Sequence, residues 1–551
     1  MRMAFETNKR PVGHQKRKGV YPTPPELARY LSAWALSDII PKRILEPGAG
    51  DGNVVIACLE QMYRQNRRDA DVEIVAVEID HQSIERGKER VRSLVESHGI
   101  RNDVTWMEGD FFDLYGTLKT HDRFDVVLGN PPFIRFHHFD AKSRSAAFAH
   151  LREAGYAPTK RSNVWAAFLQ LSIELLREGG RLAMVAPAEI LQVHYAAQIR
   201  SRLVTQFDHI ILVGFKKLVF PEIQQEVLLL LAEGKRDVLG QLSDIHTVEC
   251  ENGDELIHHG ALARRIARMP GKRPRIRDGM KWTSLFLSDR SFRILDQAER
   301  SPGVVRLGEL ASVDVGIETG RNSFFILTKE MRKKLGVEDH TIPVIGRTSL
   351  LRSTAFRNSD YEKYAERFPS YLLTLSGVDE QYFPAGLKEY IASGEREHVH
   401  LGFKCRNRRR WFDIPSIYIP DGFLCRRIHR FPLFVLNYAQ VTSTDAIYRV
   451  RFKKGVRGDV LAASFFNSLT FAWAEVCGRS YGGGVLELEP GEVEALPIPY
   501  DAQLSLDIEK LDNLLRRGSR AEAMDYVDGV VLKKTSWFRD KNDSSDSHRL
   551  A

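Results

Sequence analysis

The four residues Asn130-Pro131-Pro132-Phe133 constrain this chain more than any other stretch, because a strand cannot continue through them. They follow residues 124–129 (FDVVLG), an apolar run of strand length that ends in glycine. Proline has no N–H for a sheet, and Pro132 also pushes Pro131 towards an extended backbone. The carboxyl end of a strand in an open α/β sheet is where ligands bind. The sequence therefore predicts a ligand site at this turn.

Asn130 and Phe133 give the predicted site a defined chemistry. The turn offers a side-chain amide oxygen, a carbonyl oxygen without a strand partner and the face of an aromatic ring. Two acceptors beside one flat apolar surface suit a planar amino group on a ring. A rigid turn followed by a core phenylalanine would explain the same residues, since a short motif is only a hypothesis.

Earlier strands in the sequence also end in groups that suit a nucleoside. One leads into the glycine-rich run 48–52 (GAGDG) and then a helix, so a ligand can approach the backbone and the helix N-terminus. The run has neither GxGxxG nor P-loop spacing, which favours an uncharged or zwitterionic nucleoside over a pyrophosphate. Glu78 ends the next strand, where an acid can bind both ribose hydroxyls. Asp110 follows the third strand and can accept from an adenine amino group, while Phe111 flanks the ring.

This ordered set of motifs resembles class I S-adenosylmethionine-dependent methyltransferases, specifically the TaqI-type γ class of N6-adenine DNA methyltransferases. The motifs are TPPE at 23–26, the glycine turn, VEID at 77–80, GDFF at 109–112 and NPPF at 130–133, and the match spans about residues 18–235. The family usually has tyrosine where this chain has Phe133, which loses a hydroxyl and keeps the stacking face. The resemblance implies S-adenosylmethionine as the cofactor and double-stranded DNA as the substrate.

The same resemblance assigns roles to single residues. Catalysis is assigned to Asn130, Pro131, Phe133 and Phe220, the last of which would hold a flipped base unless it is buried under the sheet edge. Cofactor binding is assigned to Tyr21, Thr23, Glu46, Gly48, Gly50, Glu78, Asp110, Phe111 and Asn130. Thr23 is also predicted to cap the first helix. No metal is expected, because Cys405, Cys425 and His429 do not have the spacing of a zinc site.

The alternation of strands and helices stops near residue 240. Residues 241–281 are predicted to be a basic linker, and residues 282–505 a DNA target-recognition domain with short strands and clusters of arginine and aromatic residues. Arginine suits both guanine edges and phosphates. The arginines predicted to bind DNA are Arg321, Arg406, Arg408, Arg409, Arg426 and Arg427. Residues 506–551 are predicted to form a C-terminal helix and a disordered tail.

Composition sets limits on the whole chain. A length of 551 residues with 43% apolar residues indicates two or three domains. A net charge of +8 fits a polyanionic partner without requiring one. Five scattered cysteines indicate reduced thiols in the cytoplasm, and no apolar run is long enough to predict a membrane span. The basic segment 1–20 is either a solvated tail or an arm that contacts phosphates.

The predicted fold is α/β. A Rossmann-like class I methyltransferase domain with a mostly parallel seven-stranded sheet occupies residues 1–240, and an α+β target-recognition domain follows. The predicted function is site-specific adenine-N6 methylation of DNA by a monomer, in a restriction-modification system whose endonuclease is encoded separately. Three alternatives stay open: a protein-glutamine or RNA methyltransferase with the same NPP turn, a DNA-binding subunit of a larger restriction complex, and cytosine-N4 methylation, which usually goes with serine at position 130.

Overall fold

The computed structural model divides the chain into two compact units, Met1–Phe286 and Leu287–Ala551. The residues it describes are 22–67, 71–99, 103–134, 138–159, 162–220, 226–238, 242–253, 255–256, 281–428, 431–481 and 485–532. Tyr21, the basic segment 1–20, most of the predicted linker and the predicted disordered tail lie outside the described residues.

The first unit is built on one sheet with the strand order β3-β2-β1-β4-β5-β7-β6-β8. The strands are β1 (Arg43–Pro47), β2 (Glu73–Glu78), β3 (Asp103–Glu108), β4 (Phe124–Gly129), β5 (Leu176–Pro187), β6 (His209–Phe215), β7 (Val227–Glu233) and β8 (Asp244–Cys250). β7 is antiparallel to β5 and β6, and the other pairs are parallel. The order reverses between β1 and β4, so their carboxyl ends flank the crevice where such sheets bind ligands.

Helices pack against the sheet of the first unit. They are α1 (Pro25–Ala35), α2 (Asn53–Arg64), α3 (His81–His98), α4 (Phe111–Thr120), α5 (Ala141–Glu153), α6 (Val164–Leu175) and α7 (Ala197–Gln206). Successive side chains of a strand point to opposite faces. Accordingly Leu45 and Val127 belong to one apolar core, and their neighbours Ile44 and Val126 belong to a second one. β4 is buried along its whole length, including the charged Asp125, as expected for a central strand of a parallel sheet.

The predicted α/β fold with a mostly parallel sheet is confirmed, with two local differences. The described part of the sheet has eight strands, because β8 lies in the predicted linker and pairs with β6 from Asp244 to Cys250. Ile245, His246, Val248 and Cys250 are buried there. The predicted cap at Thr23 is wrong: α1 begins at Pro25, and the capping position is held by Pro24, which has no side-chain donor or acceptor.

The second unit has an α+β composition, as predicted. Its sheets have the orders β10-β19-β15-β17-β13, β11-β14-β12-β18, β16-β21-β20 and β22-β9. The strands are β9 (Val304–Arg306), β10 (Ala311–Asp314), β11 (Ile326–Leu327), β12 (Thr341–Ile345), β13 (Ala355–Phe356), β14 (Tyr371–Leu373), β15 (Gly422–Cys425), β16 (Arg427–Ile428), β17 (Phe434–Asn437), β18 (Thr442–Ser443), β19 (Ile447–Phe452), β20 (Arg479–Tyr481), β21 (Val485–Glu487) and β22 (Pro497–Pro499).

The helices of the second unit pack around these sheets. They are α8 (Asp289–Glu299), α9 (Leu307–Leu310), α10 (Asn322–Phe325), α11 (Lys329–Leu335), α12 (Asn358–Ala365), α13 (Ala385–Arg396), α14 (Phe403–Arg406), α15 (Gly458–Phe465), α16 (Ser468–Cys477), α17 (Pro490–Glu494), α18 (Ile508–Arg517) and α19 (Arg520–Val531). Leu511 and Val527, from the last two helices, share an apolar core with Phe423 of β15. These helices therefore belong to the body of the second unit.

The described helices were compared with the length and hydropathy needed to span a membrane. Taken singly, none of them meets both requirements, whereas α15 and α16 meet them as a pair that is bent by 71°.

Candidate active site

The glycine turn after β1 is held against the neighbouring strand by its backbone. The N–H groups of Gly48 and Ala49 donate to the Val77 carbonyl oxygen over 2.9 and 2.8 Å. Gly50 and Gly52 have φ values of 54° and 80°, a left-handed region in which glycine alone is unstrained. A Cβ atom placed on Gly50 would meet no atom within 4 Å, so open space lies beside this part of the turn.

Glu78, at the carboxyl end of β2, organises the turn through its carboxylate. Its Oε2 atom accepts from the N–H of Gly50 at 2.8 Å, and its Oε1 atom accepts from the N–H groups of Ile79 and Asp80 at 2.9 Å each. A carboxylate has about four lone-pair sites, so about one is left for a ligand. Two ribose hydroxyls need two lone pairs, so the Gly50 N–H would have to release the carboxylate before Glu78 could bind both of them. Binding of the ribose by Glu78 stays a prediction.

Glu46 connects β1 to the start of α2. Its buried carboxylate accepts from the Val55 N–H at 3.1 Å, where helical N–H groups lack partners of their own. Burial raises the pKa of Glu46 well above its ordinary value, and the nearby carboxylates of Glu78 and Asp51 act in the same direction. A Cβ atom on Gly129 would lie 3.4 Å from the Cγ atom of Glu46, so the end of β4 passes close to this acid.

The NPPF turn lies beside the glycine turn. The Cδ atom of Pro132 is 4.0 Å from the position that a Cβ atom would take on Gly48. Pro131 is buried and Asn130 is half-buried, with its Oδ1 atom shielded from solvent. Phe133 is half-buried and contacts the apolar cores on both faces of the sheet, so it lies just beyond the carboxyl end of β4. The structure therefore brings the predicted catalytic turn and the predicted cofactor turn together.

Asp110 and Phe111 take structural positions at the end of β3. The Oδ1 atom of Asp110 caps α4 by accepting from the Phe112 N–H at 2.8 Å. Phe111 is only 3% exposed, and its ring stacks on Phe168 with 4.8 Å between ring centroids. Phe111 thus lies in the core between α4 and α6, because an apolar side chain in the first turn of α4 faces α6. Contacts of these two residues with a cofactor stay predictions.

Two further predicted residues are buried. Phe220 is 7% exposed and packs in the apolar core that contains α1, which matches the alternative of a phenylalanine under the sheet edge. Thr23 is also buried, and its carbonyl oxygen accepts from the Asn53 side chain at 2.8 Å. That bond ties the segment before α1 to the first residue of α2. The predicted role of Phe220 in holding a base stays a prediction.

One cluster beside the site does not appear among the predicted residues. The Oε1 atom of Glu189, just after β5, accepts from the side chains of Asn163, Trp165 and Tyr195 at 3.0, 2.7 and 2.8 Å. Burial and the Glu189 carboxylate raise the pKa of Tyr195, so its hydroxyl stays a donor. β5 is the neighbour of β4, and an acid at its carboxyl end follows the same rule that indicates Glu78 and Asp110.

Two of the six predicted DNA-binding arginines, Arg408 and Arg426, hold the second unit together, and Arg321 forms an exposed ion pair. The guanidinium of Arg408 donates to the carbonyl oxygens of Glu318 and Thr319 at 2.8 and 2.9 Å. Arg426 pairs with the buried Glu487 at 2.8 Å. Arg321 is exposed and lies 3.6 Å from the carboxylate of Glu397.

The other three arginines are exposed. Arg427 contacts Glu487 at 3.4 Å through one nitrogen. Arg406 lies over the Phe403 ring at 5.3 Å, and Arg406 and Arg409 form no ion pair with the described residues. The structure thus leaves these side chains accessible to a ligand, and all six DNA contacts stay predictions.

Two family models match consecutive parts of the chain. Residues 9–259 match N-6 DNA Methylase, and residues 279–532 match the C-terminal domain of the Type II methyltransferase M.Eco57I. Each model matches just under half of the chain, and together with the relatives below they identify an N6-adenine DNA methyltransferase of the restriction-modification type, with a class I methyltransferase fold. The predicted family is confirmed at this level.

Individual relatives cover most of the chain. It is 22% identical over 498 residues to the Type II methyltransferase M.AccI of Acinetobacter calcoaceticus, covering 87% of this chain and 85% of that protein. It is 23% identical over 496 residues to M.XamI of Xanthomonas campestris pv. amaranthicola, covering 89% and 86%. Among solved structures it is similar to the type IIG restriction endonuclease BpuSI, with 17% identity, a TM-score of 0.44 and coverage of 92% of this chain and 61% of that one.

Proposed function

We propose that this protein transfers a methyl group from S-adenosylmethionine to the exocyclic N6 atom of an adenine that is turned out of duplex DNA. The supporting observation is the approach of the NPPF turn to the glycine turn, with 4.0 Å between Pro132 Cδ and the Cβ position of Gly48. These turns follow β4 and β1, the two strands between which the sheet order reverses. A stacked adenine cannot reach such a crevice, so the base has to leave the helix.

The residues present fit S-adenosylmethionine. The open space beside Gly50 admits a ligand to the backbone, and Glu78 keeps about one lone pair for a ribose hydroxyl. Near them, the Asp51 carboxylate adds negative charge, which suits a cofactor that carries a sulfonium and an ammonium group. When bound, the cofactor supplies an electrophilic methyl group.

Asn130, Pro131 and Phe133 would activate and orient the adenine amino group. Its lone pair is delocalised into the ring, which makes the nitrogen a poor nucleophile. Hydrogen bonds donated by its two N–H groups to the Asn130 side-chain oxygen and the Pro131 carbonyl oxygen would favour a tetrahedral nitrogen, whose lone pair then faces the methyl group. Phe133 would stack on the base and stabilise the positive charge that develops on it. Most of the rate then comes from positioning.

The order of motifs supports the γ class, in which the cofactor motifs precede the NPPF turn and the recognition domain follows both. We further propose that the protein is a cytoplasmic monomer that reads its site through the second unit, beside a separately encoded endonuclease. A protein-glutamine methyltransferase could use the same NPP turn. The match of residues 279–532 to the C-terminal domain of M.Eco57I argues against that alternative, because it adds a unit of a DNA methyltransferase.

The experiment that tests the proposed function replaces Asn130 by alanine. The variant should lose about 10²–10³-fold in the rate of methyl transfer, the usual effect of removing one transition-state hydrogen bond, and should still bind cofactor and DNA. The assay is tritium transfer from labelled S-adenosylmethionine to DNA, followed by sequencing that maps the modified bases. Asn358→Ala, on the exposed start of α12, is the matched control. Transfer by Asn130→Ala near the wild-type rate would contradict the mechanism.

A further inference from the structure

Two large apolar side chains project from one short segment of the second unit. Leu401 is 58% exposed and Phe403 is 66% exposed, and Gly402 separates them at the junction of a 3₁₀ turn (Val399–Leu401) and α14. Exposing such side chains to water is unfavourable by about 25 cal/mol for each Å² of apolar surface. We call residues 401–403 the apolar tip. A partner that covers these two side chains would remove this unfavourable exposure, whereas the folding of the unit itself leaves it in place.

The apolar tip has a firm base. Val399, two residues before it, and Cys405, two residues after it, are buried. Arg408, in the segment that follows the tip, donates to the carbonyl oxygens of Glu318 and Thr319 and so fixes this segment to the unit. The exposure of Leu401 and Phe403 therefore reflects a fixed projection from the surface.

Positive charge surrounds the apolar tip. Residues 399–410 (VHLGFKCRNRRR) contain five basic residues and no acidic one. Acids elsewhere in the unit pair with two of them, Lys404 with Glu318 and Arg410 with Asp413. Arg406 and Arg409 are exposed and have no ion pair among the described residues, and Arg406 lies over the Phe403 ring. A partner that fits this surface is a polyanion with apolar surface between its charges.

Duplex DNA has this combination, because its phosphates flank stacked bases. An anionic membrane shares the charge and the apolar interior. Membrane-surface segments, however, are usually amphipathic helices with a long apolar face, whereas this tip has only two such side chains. Proteins that bend DNA insert single Phe or Leu side chains between base steps from the minor groove. The size and charge of the tip therefore favour DNA.

We propose that the apolar tip is a wedge that enters the minor groove and partly unstacks one base step, with Arg406 and Arg409 on the flanking phosphates. This inference rests on the proposed function, in which the protein acts on duplex DNA. It assigns to Leu401 and Phe403 a contact with bases, and to the arginines a contact that does not depend on sequence.

The experiment compares Phe403→Ala, Leu401→Ala and the double variant Arg406→Ala/Arg409→Ala with the wild type. Tyr382→Ala is the matched control, because Tyr382 is a 72% exposed aromatic residue of the same unit. Fluorescence anisotropy at two salt concentrations measures binding to a duplex that the wild type selects from a randomised library, so the choice of duplex does not depend on methylation. 2-Aminopurine placed at successive steps of that duplex reports unstacking.

Phe403→Ala should weaken binding about tenfold, within the range for one lost stacking contact, with an unchanged salt slope and a loss of the 2-aminopurine signal. The double arginine variant should lower the salt slope by about 1.8, or about 0.9 for each phosphate contact. Tyr382→Ala should behave as the wild type. Binding and 2-aminopurine signals of Phe403→Ala equal to those of the wild type would overturn the proposal.

Two further measurements separate the alternatives. If Phe403→Ala loses binding to phosphatidylserine-containing vesicles and binds the duplex normally, the partner is a membrane and the wedge is refuted. The wild-type methylation assay tests the proposed function separately. A wild type that methylates DNA while Phe403→Ala binds normally refutes the wedge alone. A wild type that binds DNA through Phe403 without methylating it supports the wedge and refutes the proposed function.

Discussion

Replacing Glu78 by glutamine should weaken the binding of S-adenosylmethionine. The carboxylate of Glu78 accepts from three backbone N–H groups, those of Gly50, Ile79 and Asp80. Glutamine has one acceptor oxygen, which can keep the bonds to Ile79 and Asp80. Its NH₂ group then faces the N–H of Gly50, and two donors oppose each other at the glycine turn.

The bond to Gly50 exists without the cofactor, so the loss of affinity comes from the hydrogen bond between the Glu78 carboxylate and a ribose hydroxyl. A hydrogen bond to a charged group contributes about 1.5–3 kcal/mol. Because 1.4 kcal/mol is a factor of ten in affinity, the loss of this charged hydrogen bond to the ribose should raise the Kd for the cofactor about 10- to 150-fold.

Titration calorimetry with S-adenosylmethionine measures the Kd, and thermal melts check that both variants are folded. The matched control is Glu108→Gln, because Glu108 lies opposite Glu78 in the β2–β3 register but is exposed and pairs with His81. Its Kd should equal that of the wild type. An unchanged Kd in Glu78→Gln, or an equal rise in both variants, would refute the role of Glu78 in the cofactor site.

Two other predictions concern stability. Burial raises the pKa of Glu46, so the folded state favours its protonated form, and the stability that this form contributes at acid pH is lost as the pH rises through the raised pKa. Glu46→Gln does not titrate at this position and should therefore show a smaller fall in Tm than the wild type between pH 5 and pH 9 in thermal melts. An equal fall in both proteins would contradict the raised pKa of Glu46. Arg408→Ala should lose about 1–3 kcal/mol of unfolding free energy in urea denaturation, because two carbonyl oxygens lose their donor. The control Arg409→Ala, at an exposed arginine, should unfold like the wild type. Equal stabilities of the two variants would show that the Arg408 contacts contribute nothing.

Sequence rules predicted the centre of the candidate site because that centre depends on local features. The glycine turn and the NPPF turn each directly follow a buried strand, and Glu78 is the last residue of another. Parallel strands bring their carboxyl ends to one edge of the sheet. Strand order then decides which ends are neighbours, and here β1 and β4 are adjacent. The eighth strand escaped prediction because its seven residues include Asp244, His246 and Glu249, and only its pairing with β6 distinguishes it from a polar linker.

The arginines show where sequence rules stop. A cluster such as residues 406–410 has the same composition whether its side chains bind phosphates or brace the fold. Arg408 braces it through Glu318 and Thr319, which are 90 and 89 residues away, and Arg426 pairs with Glu487 across 61 residues. No periodicity in the sequence links partners so far apart. The exposure and bonding of each side chain in the structure separate arginines that stabilise the fold from those that are available to DNA. An arginine whose donors are satisfied inside the unit would have to break those bonds to reach DNA, whereas Arg406 and Arg409 would not. Arg406, which lies over the Phe403 ring, and the exposed Arg409 are therefore the arginines for which a DNA contact has the lowest cost.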